Sequence, residues 1–251
     1  MLAVLLAAGR GRRLEAPEPK CLLQVRGKTL LERHIAAMTA AGVTSLVVVV
    51  GYEHQQIRDA LGRLAPALPV EIVENPDFVR GSIVSLHRAL PILRRAGGLF
   101  MDADVIYPSE LLRRLVTSKH DNCVLVDPRS SETGEEMMVG ITAGRVRAIA
   151  RRVSPLAGQH CPGGAWDQIG ESVGFAKVGA GGAEVLGRIL DSEVEAGRLD
   201  QEYEAAMNVA FGEVPWGFEP VGEVAWTEID FAEDVERAKA IAERLDASAV
   251  P

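Results

Sequence analysis

Residues 45–50, read Ser-Leu-Val-Val-Val-Val, most limit what this chain can fold into. An unbroken β-branched run has no face to offer water, so it reads as a strand covered on both sides. Around it, apolar runs at 2–6, 70–73, 97–101 and 123–126 alternate with stretches of helical periodicity at 29–41, 53–61, 82–90 and 109–116. Thr29 suits an N-cap and Gly42 a stop for the first helix, and Pro91 is expected to end or kink the third. Strands alternating with helices predict an α/β fold, a mostly parallel sheet with right-handed crossovers and helices on both faces.

After Asp127 the texture changes. Residues 137–142 and 145–151 read as a hairpin about Ala143-Gly144, and 172–178 as a further strand. Residues 155–170 are rich in Gly and Pro and are expected to form a loop. Helical patterns follow at 183–196 and 201–210, then short extended pieces near 218–221 and 226–230, and a helix over 231–245. No linker or repeat divides the chain, so one domain is expected. Its parts are a first half of about 1–127, a small β-rich part over 128–230 and a C-terminal helix at 231–247.

The bulk numbers exclude several classes. A chain of 251 residues can bury a full core, and no apolar run approaches the roughly 20 residues of a membrane span. Apolar residues precede the first charges, the reverse of a secretory signal. A net charge of −8 argues against non-specific nucleic-acid binding. Cys21, Cys123 and Cys161 are odd in number and far apart, so neither a disulfide framework nor a zinc site is expected, and a cytoplasmic setting fits. His34, His54, His87, His120 and His160 are scattered, with no nucleophile system among them.

Two places carry chemistry. The first is the turn Ala8-Gly9-Arg10-Gly11 after the first strand, followed by Arg12, Arg13 and Pro19-Lys20. Backbone N–H groups beside fixed cations suit phosphate. The turn is no dinucleotide fingerprint, because Leu14 stands at the third glycine and the second strand ends in Gly51-Tyr52 without an acid. No Gly-Lys-Ser/Thr follows, so it is no P-loop either. The second place is Asp102-Ala103-Asp104, where a central strand ends and open α/β sheets place their ligands. Spacing alone does not put both carboxylates on one ion.

Residues 6–14 (LAAGRGRRL), with Pro19-Lys20 and Leu22-Leu23, resemble the LAAGxGxRL…PK signature of the nucleotidyltransferases that make activated sugars and alcohols. The resemblance implies a single-domain, Rossmann-like (GT-A-like) α/β fold with a nucleoside triphosphate over the first loop. Arg13 and Lys20 would then steady the triphosphate and serve as the catalytic cations. Leu6, Ala7, Ala8, Gly9, Gly11, Gly51, Gly81, Ser82, Ser85 and Asp102 would complete the nucleotide site. Residues 75–86 resemble the segment that reads the base, with Ser82 where relatives often carry asparagine; Ser82 is equally an N-cap candidate. Asp104 matches the aspartate that holds Mg²⁺, and the segment Trp226-Thr227-Glu228-Ile229-Asp230 brings the second metal aspartate, Asp230, itself also an N-cap candidate.

The resemblance is to the phosphocholine and phosphonate cytidylyltransferase group, through Gly51-Tyr52, Glu135-Glu136-Met137, residues 170–177 and residues 203–208. One departure is Ile149-Ala150-Arg151, where relatives often show Ile-Ser-Lys. The implied reaction moves a cytidylyl group from CTP to a small phosphate or phosphonate monoester, phosphocholine or 2-aminoethylphosphonate in type. Such an acceptor is largely dianionic at neutral pH and needs no strong base. Asp127, Glu136, Arg151, Trp166, Asp167, Glu171, Tyr203 and Trp226 are the acceptor candidates, aromatic groups for a quaternary ammonium and carboxylates for a primary amine. Tyr107 and Trp216 are further aromatic candidates. Alternatives are a hexose-1-phosphate or inositol-phosphate nucleotidyltransferase, a glycosyltransferase using Asp102 and Asp104, and a silent nucleotide-sensing subunit. No nucleic-acid or membrane partner is expected, and a homodimer is the assembly considered.

Overall fold

The computed structural model describes residues 1–11 and 18–248. Strand β1 (Leu2–Ala7) leads through a short 3-10 turn (Lys20–Leu22) and a small ribbon, β2 (Gln24–Val25) with β3 (Lys28–Thr29), into α1 (Leu30–Ala40). Thr29 caps α1 in a full capping box with Glu32. Then come β4 (Ser45–Val50), α2 (His54–Leu64), β5 (Val70–Glu74), α3 (Ser82–Ala96) and β6 (Gly98–Asp102). The strand expected at 45–50 is buried at every position but its first.

Pro91 does not end α3. The helix runs on to Ala96 and stops at Gly97, whose φ is +70°. Leu90 and Leu93 are both buried in the core, and that packing holds the helix through the one backbone donor that proline lacks.

The chain continues with β7 (Val105–Ile106), α4 (Ser109–Thr117), β8 (Cys123–Asp127) and the hairpin β9 (Met138–Thr142) and β10 (Arg145–Ala150). In the expected loop lies a short helix, α5 (Ala157–His160). Strand β11 (Gln168–Val178) is longer than its pattern predicts. After α6 (Ala180–Glu195) and α7 (Glu204–Glu213), β12 (Gly217–Pro220), β13 (Thr227–Glu228) and α8 (Ala232–Ser248) close the sequence.

One sheet of nine strands runs in the order β10-β9-β11-β6-β1-β4-β5, with β8 on β11 and β12 on β8. Pairing is parallel from β5 through β4 and β1 to β6, so this central part is the sandwiched α/β layer the hydrophobic runs require. From β1 the chain first moves outward to β4 and β5, then returns to the other side of β1 for β6. That reversal opens a crevice beyond the carboxyl ends of β1 and β6. The loops there are residues 8–11 and 102–104, the two places marked in the sequence. Beyond β6, β11 pairs antiparallel with β6, β8 and β9 and ties the β-rich part to the central sheet. No described helix is long and apolar enough to cross a membrane.

Candidate active site

The site is assembled by a two-stranded ribbon that no local pattern announces. Strand β13 pairs antiparallel with β7, Thr227 opposite Ile106 and Glu228 opposite Val105, and Ile229 N–H donates to the Asp104 carbonyl at 2.9 Å. Ile106 and Ile229 are fully buried with Ala238 and Ala242 of α8, so apolar packing fixes the ribbon from below. Asp234, nearly buried, accepts the backbone N–H groups of Asp230 at 2.9 Å and Phe231 at 2.7 Å, which orients the turn carrying Asp230. Asp104, Glu228 and Asp230 thereby bring one carboxylate oxygen each within 4.8 Å of one another.

Lys20 stands among them. Its Nζ donates to Asp104 Oδ2 at 3.0 Å and to Asp230 Oδ1. Burial opposes the charge on Lys20, but Asp104 and Asp230 outweigh it and hold its pKa above the usual lysine range. Its stem lies against the glycine turn, since a Cβ on Gly11 would come 2.5 Å from Lys20 Cγ. Gly11, at φ +63°, is a position where a side chain would be strained as well as blocked.

Leu6, Ala7, Ala8, Gly9, Gly11, Lys20, Ser82, Ser85 and Asp102, all expected at the nucleotide site, line one cleft of about 220 Å³ together with Phe78, Arg80 and Asp104. Gly51 does not line it; a Cβ there would meet Phe78 and the Ala8 carbonyl, so it supports the floor of the turn. Gly81 adjoins the cleft and presses on residue 201, where a Cβ would fall 1.9 Å from the Gln201 carbonyl. Ser82 Oγ accepts the Tyr203 N–H at 3.0 Å, and Ser85 Oγ accepts Asn75 Nδ2–H at 3.0 Å. The expectation for Arg13 falls outside the described residues.

Asp102 takes a different environment from Asp104. Tyr203 donates its hydroxyl to Asp102 Oδ2 at 2.7 Å, while burial and the nearby charges of Asp104 and Glu204 drive the Asp102 pKa well above the carboxylate range. Glu204 is itself pushed up to about 7, chiefly by burial. Glu228, solvent-exposed at the rim, is raised by partial enclosure and by the charges of Asp104 and Asp230.

On the far side of the carboxylates lies a second space of about 440 Å³, lined by Asp127, Glu136, Glu171, Trp226, Glu228 and Asp230 among others. A smaller one, lined by Asp104, Arg151, Tyr203, Glu204 and Asp230, connects the two sides. Asp127 accepts from Arg129 at 2.9 and 2.7 Å and from the Trp226 indole N–H at 2.9 Å; burial works against its charge, but these donors keep its pKa low. Ser130 donates to Glu171, whose pKa burial raises, and Thr133 donates to Glu136. Arg151 is tied to the Glu135 carbonyl and to Glu202.

Trp166 and Asp167 are not brought to this place. The Trp166 indole N–H donates to the Val153 carbonyl at 2.9 Å and its ring packs on Met138, Ala148 and Val153. Asp167 accepts the Ala143 N–H at 2.7 Å and closes the β9–β10 turn. Tyr107 and Trp216 are buried in the core, so an aromatic cage from those residues does not form. Glu228 is the site residue that the sequence reading passed over, although it stood in the quoted Trp-x-Glu-Ile-Asp segment.

Residues 3–167 match the family model described as MobA-like NTP transferase domain. Among curated relatives, the bifunctional IPC transferase and DIPP synthase of Rubrobacter xylanophilus is 38% identical over 148 residues, 57% of this chain but only 33% of that protein. The 2-aminoethylphosphonate cytidylyltransferase of Lancefieldella rimae is 27% identical over 233 residues, 91% of this chain and 87% of that protein. Among solved structures, CTP:phosphocholine cytidylyltransferase of Streptococcus pneumoniae superposes with a TM-score of 0.71 at 18% identity, covering 96% of this chain and 99% of the other. The inositol-1-phosphate CTP transferase of T. maritima gives 0.73 at 20% identity, covering 96% of each. At those identities the likeness is one of fold.

Proposed function

This chain belongs to the MobA-like NTP transferase domain family, and we propose that it transfers a cytidylyl group from CTP to a small phosphate or phosphonate monoester with a cationic head group. The observation that carries the reading is that the glycine-turn cleft and the acid-lined pocket meet at Asp104 and Asp230. A nucleotide on one side and an acceptor on the other would bring their reacting phosphates together at those carboxylates. The 2-aminoethylphosphonate cytidylyltransferase that matches most of both chains supports the nucleotide and the acceptor class.

In this reading the acceptor oxygen bonds to the α-phosphorus, the bond to the bridging oxygen breaks, and pyrophosphate leaves. The backbone N–H groups of residues 8–11 hold the departing phosphates, and Lys20 offsets the charge that develops on them. The acceptor needs no general base, because a phosphate monoester is mostly dianionic at neutral pH. Positioning and charge neutralisation are then the main work of the site. Ser82 and Ser85 face the cleft where the base would lie.

The residues fit a divalent cation. Asp104, Glu228 and Asp230 offer oxygen ligands only, the set a hard cation takes, and the Lys20 ammonium already draws to two of them. Bound there, Mg²⁺ would polarise the α-phosphate and screen the acceptor from it. Head-group selection falls to Glu171, Glu136 and Asp127, with Trp226 beside them. An inositol phosphate is the second reading, because Ser130, Ser131 and Thr133 add hydroxyls to that pocket.

The test is a pyrophosphate-release screen of four nucleoside triphosphates against phosphocholine, 2-aminoethylphosphonate, inositol 1-phosphate and hexose 1-phosphates. CTP with an amine-bearing acceptor is the expected pair. Preference for UTP with a hexose phosphate, or no turnover with any pair, overturns the reading.

A further inference from the structure

The space between the carboxylates is already claimed by a cation of the chain itself. Lys20 Nζ bonds both Asp104 and Asp230, and the three side chains are only 16%, 20% and 25% exposed. Asp104, Glu228 and Asp230 converge closely enough to repel one another strongly, and Lys20 is the ammonium shown between two of them. The backbone of Lys20 is not free to follow a ligand. Leu22 N–H donates to the Pro19 carbonyl at 2.8 Å, Leu23 N–H to the Lys20 carbonyl at 2.9 Å, and Cys21 is buried. The side chain is the part that can move, and its stem already lies against Gly11 in the turn expected to hold phosphates. From one anchored Cα, the ammonium therefore has two anionic destinations, the carboxylates and a bound polyphosphate. It cannot satisfy both fully.

We propose that Lys20 is the resident counter-ion of Asp104 and Asp230, which a divalent cation must displace, so that metal enters with the nucleotide rather than before it. The polyphosphate draws the ammonium toward the glycine turn and leaves the carboxylates open. This rests on the reading of the site as a nucleotidyl-transfer centre. It adds an order of events and assigns Lys20 a role against the metal as well as beside the phosphates.

Mn²⁺ binding to the nucleotide-free protein, followed by electron paramagnetic resonance, tests it. Lys20→Met and Lys20→Gln are expected to bind Mn²⁺ about tenfold or more tightly than wild type, since neither leaves a competing charge. Adding Asp104→Asn to Lys20→Gln should abolish the gain. Equal or weaker binding by folded Lys20 variants overturns the proposal, as does a gain that survives Asp104→Asn. Wild-type protein gives a check that needs no variant: the ¹⁵Nζ resonance of Lys20 should stay in place when Mg²⁺ alone is added at the concentration that supports turnover and shift when CTP joins it, and a full shift with Mg²⁺ alone counts against entry with the nucleotide. Turnover with CTP is scored separately on wild type. An active wild type whose Lys20 variants gain no Mn²⁺ affinity overturns this proposal alone, whereas inactivity with every nucleotide overturns the functional reading alone.

Discussion

The N–H of Ile229 donates to the carbonyl of Asp104 at 2.9 Å, and this backbone bond continues the β13–β7 pairing that sets two distant acids side by side. Ile229→Pro removes the donor and should lower turnover by at least about 100-fold, with a stability loss of about 3 kcal/mol. Ile229→Val keeps the donor and trims one buried methylene. It should cost about 1 kcal/mol and leave turnover near wild type. Pyrophosphate release and urea unfolding on both variants check the pair; equal turnover in the two would separate the ribbon from the chemistry.

Lys20→Ala and Asp104→Ala should each reduce turnover at least about 100-fold while the circular dichroism spectrum stays native. Both residues lie at the surface of the cleft rather than under it, so the core clusters keep their contacts. Near-normal turnover in a folded Asp104→Ala protein would remove it from the metal site.

Gly81 and Gly174 press on groups that border the cleft, the Gln201 carbonyl and the Asp102 carboxylate. A Cβ on Gly81 would fall 1.9 Å from the Gln201 carbonyl, and one on Gly174, where φ is +76°, would fall 2.3 Å from Asp102 Oδ2. Backbone cannot yield as a flexible side chain can, so Gly81→Ala should destabilise by about 2 kcal/mol or more and raise the KM for the nucleotide. Gly174→Ala strains the backbone and pushes Asp102 off Tyr203, and should lower kcat more than it changes KM. Steady-state kinetics with thermal melting distinguishes these outcomes.

The same residues show what could be read in advance. The central strands were legible because burial on both faces leaves an unmistakable apolar run, and the glycine turn because its residue types are themselves the chemistry. The full length of β11 was hidden. Its first residues, 168–170, close the stretch 155–170 whose Gly and Pro read as a loop, while the part expected at 172–178 runs through the pairing shift at Gly174. The place of Trp166 is not legible in advance, because an indole in a Gly/Pro loop reads alike whether it faces a ligand or, as here, covers a hairpin. Glu228 became a site residue only through the register of β13 on β7, a contact that no local pattern encodes.

Glu171 is held beside the acid-lined pocket by Ser130, and burial raises its pKa. Glu171→Gln keeps the shape and removes the charge. It should raise the KM for an amine-bearing acceptor about tenfold, the loss of one partly screened charge contact, with the KM for CTP unchanged. A parallel rise in the KM for a neutral polyol phosphate would show that the carboxylate shapes the pocket instead of reading its charge.

His34 makes stability depend on pH from beneath the site. It is fully buried, with Nδ1 3.1 Å from the Tyr107 hydroxyl, and burial lowers its pKa from 6.5 to about 4. The unfolded chain therefore takes up a proton near pH 6.5 that the folded protein accepts only near pH 4. Between those values the unfolded state binds more protons, so stability falls as pH drops from 6.5 toward 4, by at most about 3 kcal/mol from this group. Above 6.5 His34 is neutral in both states and contributes no slope. His34→Gln cannot titrate, and the difference in urea midpoint between it and wild type should shrink steadily from pH 7 to pH 4.5. A difference that stays constant across that range would mean that His34 gains its proton in the folded protein as readily as in the unfolded chain.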